Sequence, residues 1–373
     1  MGKTILVSLI SEQTLPNIQF IKWYLKNNIN ITKLLFISTK KMEEKGKSED
    51  IESALKCKNT YIGNIDFLIT DENDINKTLT LLEYYFSENK ADNIVVNITG
   101  GTKIMSLATY QYFISKKNTE IFYQPIGMSL QRLYPEQELF EISELLTLDE
   151  YLKAYGIEYK IDNSCVKDWE YNKNVFEIVK TNRDLIKGMI ALQNNSWFRN
   201  KCDKKDFLNF EIIDDDKFLA INNEFATKEN ICALIKKFNF DSTKVCKRHI
   251  RYITGGWFEE FVYQKICNEY ENVEKENVAL NVNISKGNDK NELDVIYLDN
   301  DSKLHVIECK SFLDGKDGSK ILTEALYKLQ AIIKTKFGLF VKHHLYTKSI
   351  IDKETPLNRA REFGIDLKDG NDL

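Results

Sequence analysis

The sequence lacks the features that mark secreted, membrane-spanning and zinc-binding proteins. Its seven cysteines are scattered singly, with no Cys-x-x-Cys pair, which argues against both a disulfide framework and a zinc cluster. No apolar run approaches the ~20 residues that a membrane span needs, and acidic and polar residues follow the apolar amino terminus where a signal peptide would have a cleavage site. We therefore expect a globular protein of the reducing cytoplasm that begins with a strand and has no membrane partner.

A surplus of positive charge is also missing. The 52 Lys and Arg residues are balanced by 56 Asp and Glu residues, so the formal net charge is −4. Any nucleic-acid surface must then be local, and the overall charge decides nothing about the substrate. The Walker A and GxGxxG motifs are absent as well, which disfavours an enzyme that binds a nucleotide cofactor in its first domain.

The 373 residues are enough for two or three domains, since domains cluster around ~100 to 150 residues. In residues 1–150, short apolar strands alternate with amphipathic helices, which is the pattern of a parallel sheet covered on both faces. We predict a Rossmann-like α/β domain there. Residues 151–249 are helical and mixed in pattern around a strand-like segment at 210–222. They predict a connecting module, which is either winged-helix-like or a plain structural spacer.

Residues 250–373 predict a small α+β domain. A helix at 256–270 is followed by three strand patterns, and the turn-forming stretches at 286–291 and 299–303 between them indicate a meander of antiparallel hairpins. A second helix over 322–336 and a final apolar strand region complete the order αβββαβ.

The third strand of this domain carries opposite charges in an apolar setting. Residues two apart in a strand share a face, so Glu308 and Lys310 point to the same side. Asp294 interrupts the preceding apolar strand, where aspartate is a depleted residue, and a hairpin would bring its carboxylate towards Glu308. Two close carboxylates repel each other unless a cation lies between them, and oxygen ligands favour Mg²⁺ or Mn²⁺ over zinc.

A lysine beside such a metal can orient or deprotonate a water and offset charge on a phosphate. The set Asp294, Glu308 and Lys310 therefore fits the hydrolysis of a phosphodiester. The alternative is an exposed Glu-x-Lys salt bridge, which contributes only ~0 to 1 kcal/mol, and the Glu-x-Lys pattern taken alone favours that alternative. Asp294 in the preceding strand, together with Glu259 and Glu260 on the leading helix, shifts the interpretation towards a catalytic site.

Four motifs in order, GWFEEFVY, NELDVIYL, VIECKSF and YKLQAI, resemble the core of PD-(D/E)xK restriction-endonuclease-like nucleases. The resemblance implies a catalytic set that consists of Glu259, Asp294, Glu308, Lys310 and Gln330. The two glutamates and the aspartate of this set would bind the metal. Glu260 would then lie on a solvated helix face, and Leu293 stands where the family usually has a proline, at a position that varies.

Polar loops end predicted strands of the amino-terminal domain at one edge of its sheet. The loop at 97–103, NITGGTK, follows a buried strand and opens a helix, whose amino terminus attracts anions. A loop of this kind fits a tight turn as well as a phosphate cradle. Ser11, Gln13 and Thr14 follow the first strand and Thr39 ends the second, at the carboxyl edge where α/β proteins bind ligands.

This half of the chain resembles CARF domains, the CRISPR-associated Rossmann folds that sense cyclic oligoadenylates. The resemblance places the ligand contacts in the polar loops, on Ser11, Gln13, Thr14, Thr39, Thr99, Gly100, Gly101 and Lys103. Over essentially its whole length, the chain resembles the cyclic-tetra-adenylate-activated ancillary nucleases of type III CRISPR systems.

That resemblance implies a homodimer that binds one cyclic tetra-adenylate across its two-fold axis as an allosteric activator. It also implies an endonuclease that depends on Mn²⁺ or Mg²⁺ and cuts DNA and single-stranded RNA in antiviral defence. A different interpretation is a ligand-responsive transcription regulator without nuclease activity, because CARF domains also occur fused to winged helices. The sequence has no obvious basic recognition helix, however, and the catalytic set would have no role in such a regulator.

Overall fold

The computed structural model describes residues 2–27, 31–57, 60–61, 63–143, 145–202, 207–219, 225–270, 273–287, 289–311, 313, 318–337, 341–349, 351 and 354–373. In these residues the chain forms two β-sheets and a helical region between them in sequence. None of the described helices is long and apolar enough to cross a lipid bilayer.

The first sheet belongs to the amino-terminal part of the chain. Its strands are β1 (Thr4–Leu9), β2 (Ile31–Thr39), β3 (Asn64–Thr70), β4 (Asn93–Asn97), β5 (Thr119–Tyr123), β6 (Ser129–Tyr134) and β7 (Glu138–Glu141). The helices between the strands are α1 (Leu15–Asn27), α2 (Lys40–Glu44), α3 (Lys47–Lys56), α4 (Ile75–Glu88) and α5 (Lys103–Phe113).

The strand order β3-β2-β1-β4-β5-β6-β7 confirms the predicted Rossmann-like domain. Strands β1 to β5 pair with one another in parallel, and every residue of β1 is buried. Because β1 lies between β2 and β4, the strand order reverses at this point, and such a reversal leaves a crevice at the carboxyl edge of a sheet. The antiparallel hairpin of β6 and β7 at the sheet edge was not predicted, since its mostly half-buried residues lack an apolar strand pattern.

The middle of the chain is helical. Its helices are α6 (Leu148–Ala154), α7 (Trp169–Thr181), α8 (Arg183–Asn194), α9 (Ser196–Cys202), α10 (Asp216–Leu219), α11 (Lys228–Lys237) and α12 (Lys247–Arg251). Asn182 separates α7 from α8, because its side chain accepts the N–H of Leu185 at 3.0 Å and starts a new helix. The strand expected at 210–222 is wrong for the part described: turns lead into α10 there, and residues 220–224 lie outside the described residues.

The second sheet has the order β13-β12-β11-β10-β9-β8. Its strands are β8 (Glu158–Lys160), β9 (Val278–Lys286), β10 (Asp289–Leu298), β11 (Leu304–Lys310), β12 (Val341–Thr347) and β13 (Ile365–Lys368). The accompanying helices are α13 (Trp257–Glu269), α14 (Gly318–Lys336) and α15 (Glu354–Phe363), with a π-helical turn at Tyr252–Gly256 and a 3₁₀ turn at Lys275–Asn277. Strands β9, β10 and β11 are antiparallel, which confirms the predicted meander, and β11, β12 and β13 are parallel.

Helices α13 and α14 cover opposite faces of the second sheet. Helix α13 packs on β9, β10 and β11, whereas α14 packs on β11 and β12. Val306 of β11 shares a core with Leu326 of α14, and the next residue, Ile307, belongs to the core that α13 and α7 build. Phe261 of α13 stacks on Phe176 of α7 with ring centroids 4.3 Å apart. The helical region is therefore anchored to the second sheet through α13.

Candidate functional site

The regular alternation of side chains in β10 breaks at Asp294. Leu293 and Val295 would share a face in a regular strand, yet they belong to the cores on opposite faces of the sheet. The register of β9 and β10 pairs Leu293 with Val282 and Val295 with Leu280. Asn281, which lies between the two partners on β9, has a left-handed backbone with a φ of 53°. Local irregularities of this kind re-aim side chains next to functional sites.

Asp294 and Glu308 converge where β10 and β11 separate. The last pair of the ladder joins Val295 to Ile307, so the next position would set Asp294 beside Glu308. Asp294 Oδ2 accepts a hydrogen bond from the backbone N–H of Cys309 at 2.7 Å. This bond holds the carboxylate of Asp294 against the strand segment that carries Glu308.

The carboxylate of Glu308 is buried between two lysines. Only 2% of its side chain is exposed. Lys310, on the same face of β11, lies 2.6 Å from Oε1, and Lys328 of α14 lies 3.0 Å from Oε1 and from Oε2. The pair of Glu308 and Lys310 is therefore not the exposed salt bridge of the alternative interpretation.

The charged groups of this site shift one another's protonation. Burial raises the pKa of Asp294 well above its ordinary value, and the negative charges of Glu308 and Glu259 raise it further. Burial also raises the pKa of Glu259, against the opposing charge of Arg251. Burial by itself lowers the pKa of Lys310, but Glu308 and Asp294 outweigh it and raise that pKa. The three carboxylates and the lysine therefore form one electrostatic group.

A cleft of about 360 Å³ opens beside this group, and Glu259 lies in its wall. The carboxylate of Glu259 is 3.8 Å from the guanidinium group of Arg251. Lys247 and Arg248 line the same cleft, and Arg251 is held by a hydrogen bond of 2.7 Å to Asn281. Cationic side chains are thus placed next to the acidic group.

Glu260 is not on a solvated helix face, so that prediction is wrong. Only 5% of the residue is exposed, and its carboxylate accepts the backbone N–H groups of Val166 and Lys167 at 2.8 and 3.4 Å. Glu260 therefore anchors the chain segment that precedes α7, which is a structural role.

Among the residues that the structure describes, no three His, Cys, Asp or Glu side chains are arranged as a ready-made metal site. The predicted trio of Asp294, Glu308 and Glu259 is accordingly not gathered into one ligand shell, because lysines face both oxygens of Glu308 and Arg251 faces Glu259. One or two carboxylates completed by water are nevertheless a donor set that Mg²⁺ uses. A cation would also relieve the repulsion that raises the pKa of Asp294. The residues Asp294 and Glu308 therefore fit a divalent metal.

Gln330 and Lys328 lie on opposite flanks of the buried stripe of α14. Residues two apart in a helix are rotated by about 200°, and the buried Leu329 lies between them. Of these two residues, only Lys328 has a described bond to Glu308. No described hydrogen bond joins Gln330 to the carboxylates, so its role at the site stays a prediction. Lys328 was missed although the motif YKLQAI contains both residues.

A second candidate site is a cavity of about 730 Å³ at the carboxyl edge of the first sheet. The loops after β1, β4 and β5 form one wall of the cavity, where the reversal of strand order predicts a ligand site. The other wall belongs to the second sheet: it consists of the turn between β10 and β11, residues 301–303, and the first residues of β12, 341–342. A ligand in this cavity would contact both sheets.

Four of the eight predicted ligand residues line this cavity, namely Ser11, Gln13, Thr99 and Gly100. Thr14 does not, because it is buried and its hydroxyl group donates to the carbonyl group of Ala154. Thr39 is also buried, and its hydroxyl oxygen accepts the N–H of Met42 at 3.3 Å at the start of α2. The structure gives both threonines a local structural role.

The two glycines of the loop after β4 are needed for its backbone conformation and packing. A Cβ atom on Gly100 would come within 2.0 Å of the carbonyl oxygen of Leu9, so only glycine fits beneath the end of β1. Gly101 has a φ of 72°, which glycine adopts without steric cost. Lys103 is exposed at the first residue of α5 and lies outside the cavity lining. The loop is a tight turn that reaches the cavity at Thr99 and Gly100.

Other cavity residues were missed by the sequence analysis. Tyr123 and Gln124 at the end of β5 line the cavity, and the same rule about carboxyl edges would have found them. Lys303 and Lys342 come from the second sheet. No sequence pattern indicates that these two lysines face the first domain, because the contact depends on how the two sheets pack.

Three family models match consecutive parts of the chain. The model for the Card1 CARF domain matches residues 5–151, the model for the Card1 hinge domain matches residues 162–247, and the model for the Card1-like endonuclease domain matches residues 246–373. No curated protein is significantly similar to the chain in sequence.

Solved structures share the fold at low sequence identity. Can2 from Sulfobacillus thermosulfidooxidans, solved in complex with cyclic tetra-adenylate, is 22% identical with a TM-score of 0.68, and the match covers 98% of this chain and 95% of Can2. Protein VC1899 from Vibrio cholerae is 19% identical with a TM-score of 0.70, over 99% of this chain and 94% of that one. A type III CRISPR defence DNA nuclease activated by cyclic oligoadenylate is 14% identical with a TM-score of 0.57, over 94% of this chain and 46% of that one.

The order of the three matched domains is the order in which the chain builds its first sheet, its helical region and its second sheet. The resemblance of the chain to CARF-domain nucleases of type III CRISPR systems is thereby confirmed. The chain belongs to the Card1-like family of CARF-domain nucleases.

Proposed function

We propose that this protein is a cyclic-oligoadenylate-activated endonuclease that requires Mn²⁺ or Mg²⁺, cuts DNA and single-stranded RNA, and acts in type III CRISPR antiviral defence. The observation that carries the proposal is the group at the place where β10 and β11 separate. There Asp294 is bonded to the backbone next to Glu308, and Lys310 lies 2.6 Å from the carboxylate of Glu308. The transcription regulator without nuclease activity would need none of these contacts.

Each residue of the group has a role in phosphodiester hydrolysis. Asp294 and Glu308 would hold the metal, and a bound divalent cation supplies a water of lowered pKa and polarises the phosphate. The ammonium group of Lys310 would orient the attacking water and offset the negative charge that grows on the phosphate. Arg251, at the cleft beside Glu259, would contact the phosphate backbone of the substrate.

The cavity at the edge of the first sheet is the proposed activator site. Can2, which shares this fold, was solved with cyclic tetra-adenylate. The cavity offers side chains that suit such a ligand: Tyr123 can stack on a base, Gln13 and Gln124 can bond to base edges, and Lys303 and Lys342 carry charges opposite to those of phosphates. A two-fold-symmetric ligand suits an isologous homodimer, and the proposed location of that dimer is the cytoplasm.

Strand β11 links the activator site to the catalytic group. The turn at 301–303 lines the cavity, and β11 begins at the next residue and ends at Lys310, about 20 Å away at 3.3 Å per residue. Asp299 fixes the turn by accepting the N–H groups of Asp301 and Lys303 at 2.9 and 2.8 Å. A ligand that moves this turn would therefore displace the strand that carries Glu308, which is how it could favour the active arrangement.

A cleavage assay on DNA and on single-stranded RNA, with and without cyclic tetra-adenylate and Mn²⁺, tests the proposal. We expect cleavage only when both additions are present. Glu308→Ala and Lys310→Met should each reduce the rate by at least about 100-fold, because each removes a metal ligand or the charge beside the phosphate. Glu324→Ala, an exposed change on α14, serves as the matched control and should leave the rate unchanged.

Two outcomes would contradict the proposal. Equal cleavage rates with and without cyclic tetra-adenylate would show that this molecule is not an activator. Full activity of Glu308→Ala would show that Glu308 is not part of the catalytic site. Duplex DNA that is bound and stays intact in the presence of Mn²⁺ would support the transcription regulator.

A further inference from the structure

Glu308 is paired with two lysines, although one lysine is enough to neutralise a single carboxylate. Lys310 bonds to Oε1 at 2.6 Å, and Lys328 reaches across from α14 to lie 3.0 Å from both oxygens. Holding a long lysine side chain in one position costs conformational entropy. Since Lys310 already pairs with Glu308, a further electrostatic attraction must offset the entropy that Lys328 loses in this position.

The charges around Glu308 supply that reason. Arg251, 3.8 Å from Glu259, is paired with Glu292 at 2.8 Å, and these two charges cancel. When ionised, the three carboxylates of Asp294, Glu259 and Glu308 outnumber the two ammonium groups of Lys310 and Lys328 by one negative charge. A divalent cation would leave the group one positive charge in excess if both lysines stayed. The group would be neutral if one lysine left, and like charges in a partly buried site repel strongly.

Lys328 is the lysine that can leave. Its side chain is 43% exposed, whereas that of Lys310 is 28% exposed. Lys328 also lies on the flank of a helix, from which a flexible side chain can turn into solvent. Lys310 is on the same strand as Glu308 and shares its face, so it stays beside the carboxylate.

We propose that Lys328 is a positioning residue, which occupies the metal-binding oxygens of Glu308 in the metal-free protein and gives them up when a divalent cation binds. This inference rests on the proposed function, because it takes Glu308 to be a metal ligand. Lys328 and the cation compete for the same two oxygens. Lys328 thus sets the cation concentration at which the site fills, and it holds the carboxylate in place until then.

Binding of Mn²⁺ to the full-length protein without nucleic acid tests the proposal, measured from the electron paramagnetic resonance signal of free Mn²⁺. Lys328→Met keeps the apolar stem and removes the competing charge. We expect Mn²⁺ to bind about fivefold more tightly, which corresponds to the ~1 kcal/mol of a partly exposed ion pair. Lys328→Arg keeps the charge and should bind Mn²⁺ no more tightly than the unsubstituted protein. Lys320→Met, an exposed change on the same helix, should leave the affinity unchanged.

Two results for Lys328→Met would overturn the proposal. Unchanged Mn²⁺ binding would mean that Lys328 does not compete with the cation. Weaker Mn²⁺ binding would mean that Lys328 helps Glu308 to bind the cation. A failure of the proposed function is distinguishable, because Glu308→Gln would then bind Mn²⁺ as well as the unsubstituted protein. Thermal unfolding of each variant checks the fold, and Lys328→Gln replaces Lys328→Met if the latter does not fold.

Discussion

His343 is held in its neutral form by its surroundings. It lies on β12, and its Nδ1 atom is buried without a hydrogen-bond partner among the described residues. Burial, followed by repulsion from His344 and Lys342, lowers the pKa of His343 from 6.5 to about 4. A proton on this ring would add a charge and a donor where neither has a partner, so protonation opposes folding.

The contribution of His343 to the stability of the protein should therefore fall as the pH falls from about 6.5 to about 4, because the unfolded chain binds a proton at His343 that the folded chain excludes. The slope of the free energy of unfolding against pH measures how many more protons the unfolded chain binds. We expect His343→Gln to reduce this slope by the equivalent of up to one proton. Urea unfolding at several pH values measures the slope. Lys320→Gln should keep the original slope, and an unchanged slope in His343→Gln would contradict the prediction.

At the scale of single residues, the sequence identified residues with a chemical role more readily than it identified the contacts that a residue makes in the fold. Asp294, Glu308 and Lys310 stood out because charges are rare in buried strands. The partners of Glu260 could not be predicted, since Val166 and Lys167 are far from it in the sequence and reach it only in the folded chain.

A buried ion pair joins two helices of the amino-terminal part. Lys22 of α1 lies 2.9 and 2.7 Å from the two carboxylate oxygens of Glu150 in α6, of which only 1% is exposed. The same carboxylate accepts the backbone N–H of Thr147 at 2.8 Å and closes the capping box of α6. One carboxylate thus fixes both the start of α6 and its position against α1.

Replacing Glu150 by Met should lower the free energy of unfolding by about 3 kcal/mol, because it leaves the buried charge of Lys22 without its carboxylate partner and removes the side-chain half of the capping box. Urea unfolding measures the loss. The double variant Lys22→Met/Glu150→Met should recover part of it, since no uncompensated charge remains. The exposed pair of Lys56 and Glu52 provides the control, and Glu52→Ala should change the stability by less than about 0.5 kcal/mol. A double variant less stable than Glu150→Met would contradict this account.

The larger elements were predictable because their apolar residues recur with the period of a strand or a helix. The parallel strands of the first sheet and the meander of the second have this pattern. The short strands β8 and β13 do not, since three or four residues are too few to show a period. They are defined by their pairing with β9 and β12.

At the scale of the whole molecule, the main feature is a cavity shared by two sheets. Lys303 and Lys342 reach it from the second sheet, while Ser11 and Thr99 belong to the first. Sequence analysis predicted a ligand site at the edge of the first sheet and a catalytic group in the second. It could not predict that the two parts meet at one cavity, because packing between domains leaves no local pattern.

The double variant Lys303→Ala/Lys342→Ala should bind cyclic tetra-adenylate about tenfold more weakly. Each lysine contributes ~0.7 kcal/mol as a partly exposed charge near a phosphate. Isothermal titration calorimetry on the full-length protein measures the change. Lys103→Ala is the matched control, because Lys103 lies outside the cavity lining and its loss should leave the affinity unchanged. The reverse pattern, with Lys103→Ala weak and the double variant normal, would place the ligand elsewhere.

The fixed length of β11 restricts how members of this family can vary. One residue added between Leu304 and Glu308 would turn the glutamate to the opposite face of the sheet, towards α13. Two added residues would restore the face but carry the glutamate about 7 Å further from the turn. We therefore expect homologues to tolerate insertions in the neighbouring loops and to keep the same number of residues in this strand.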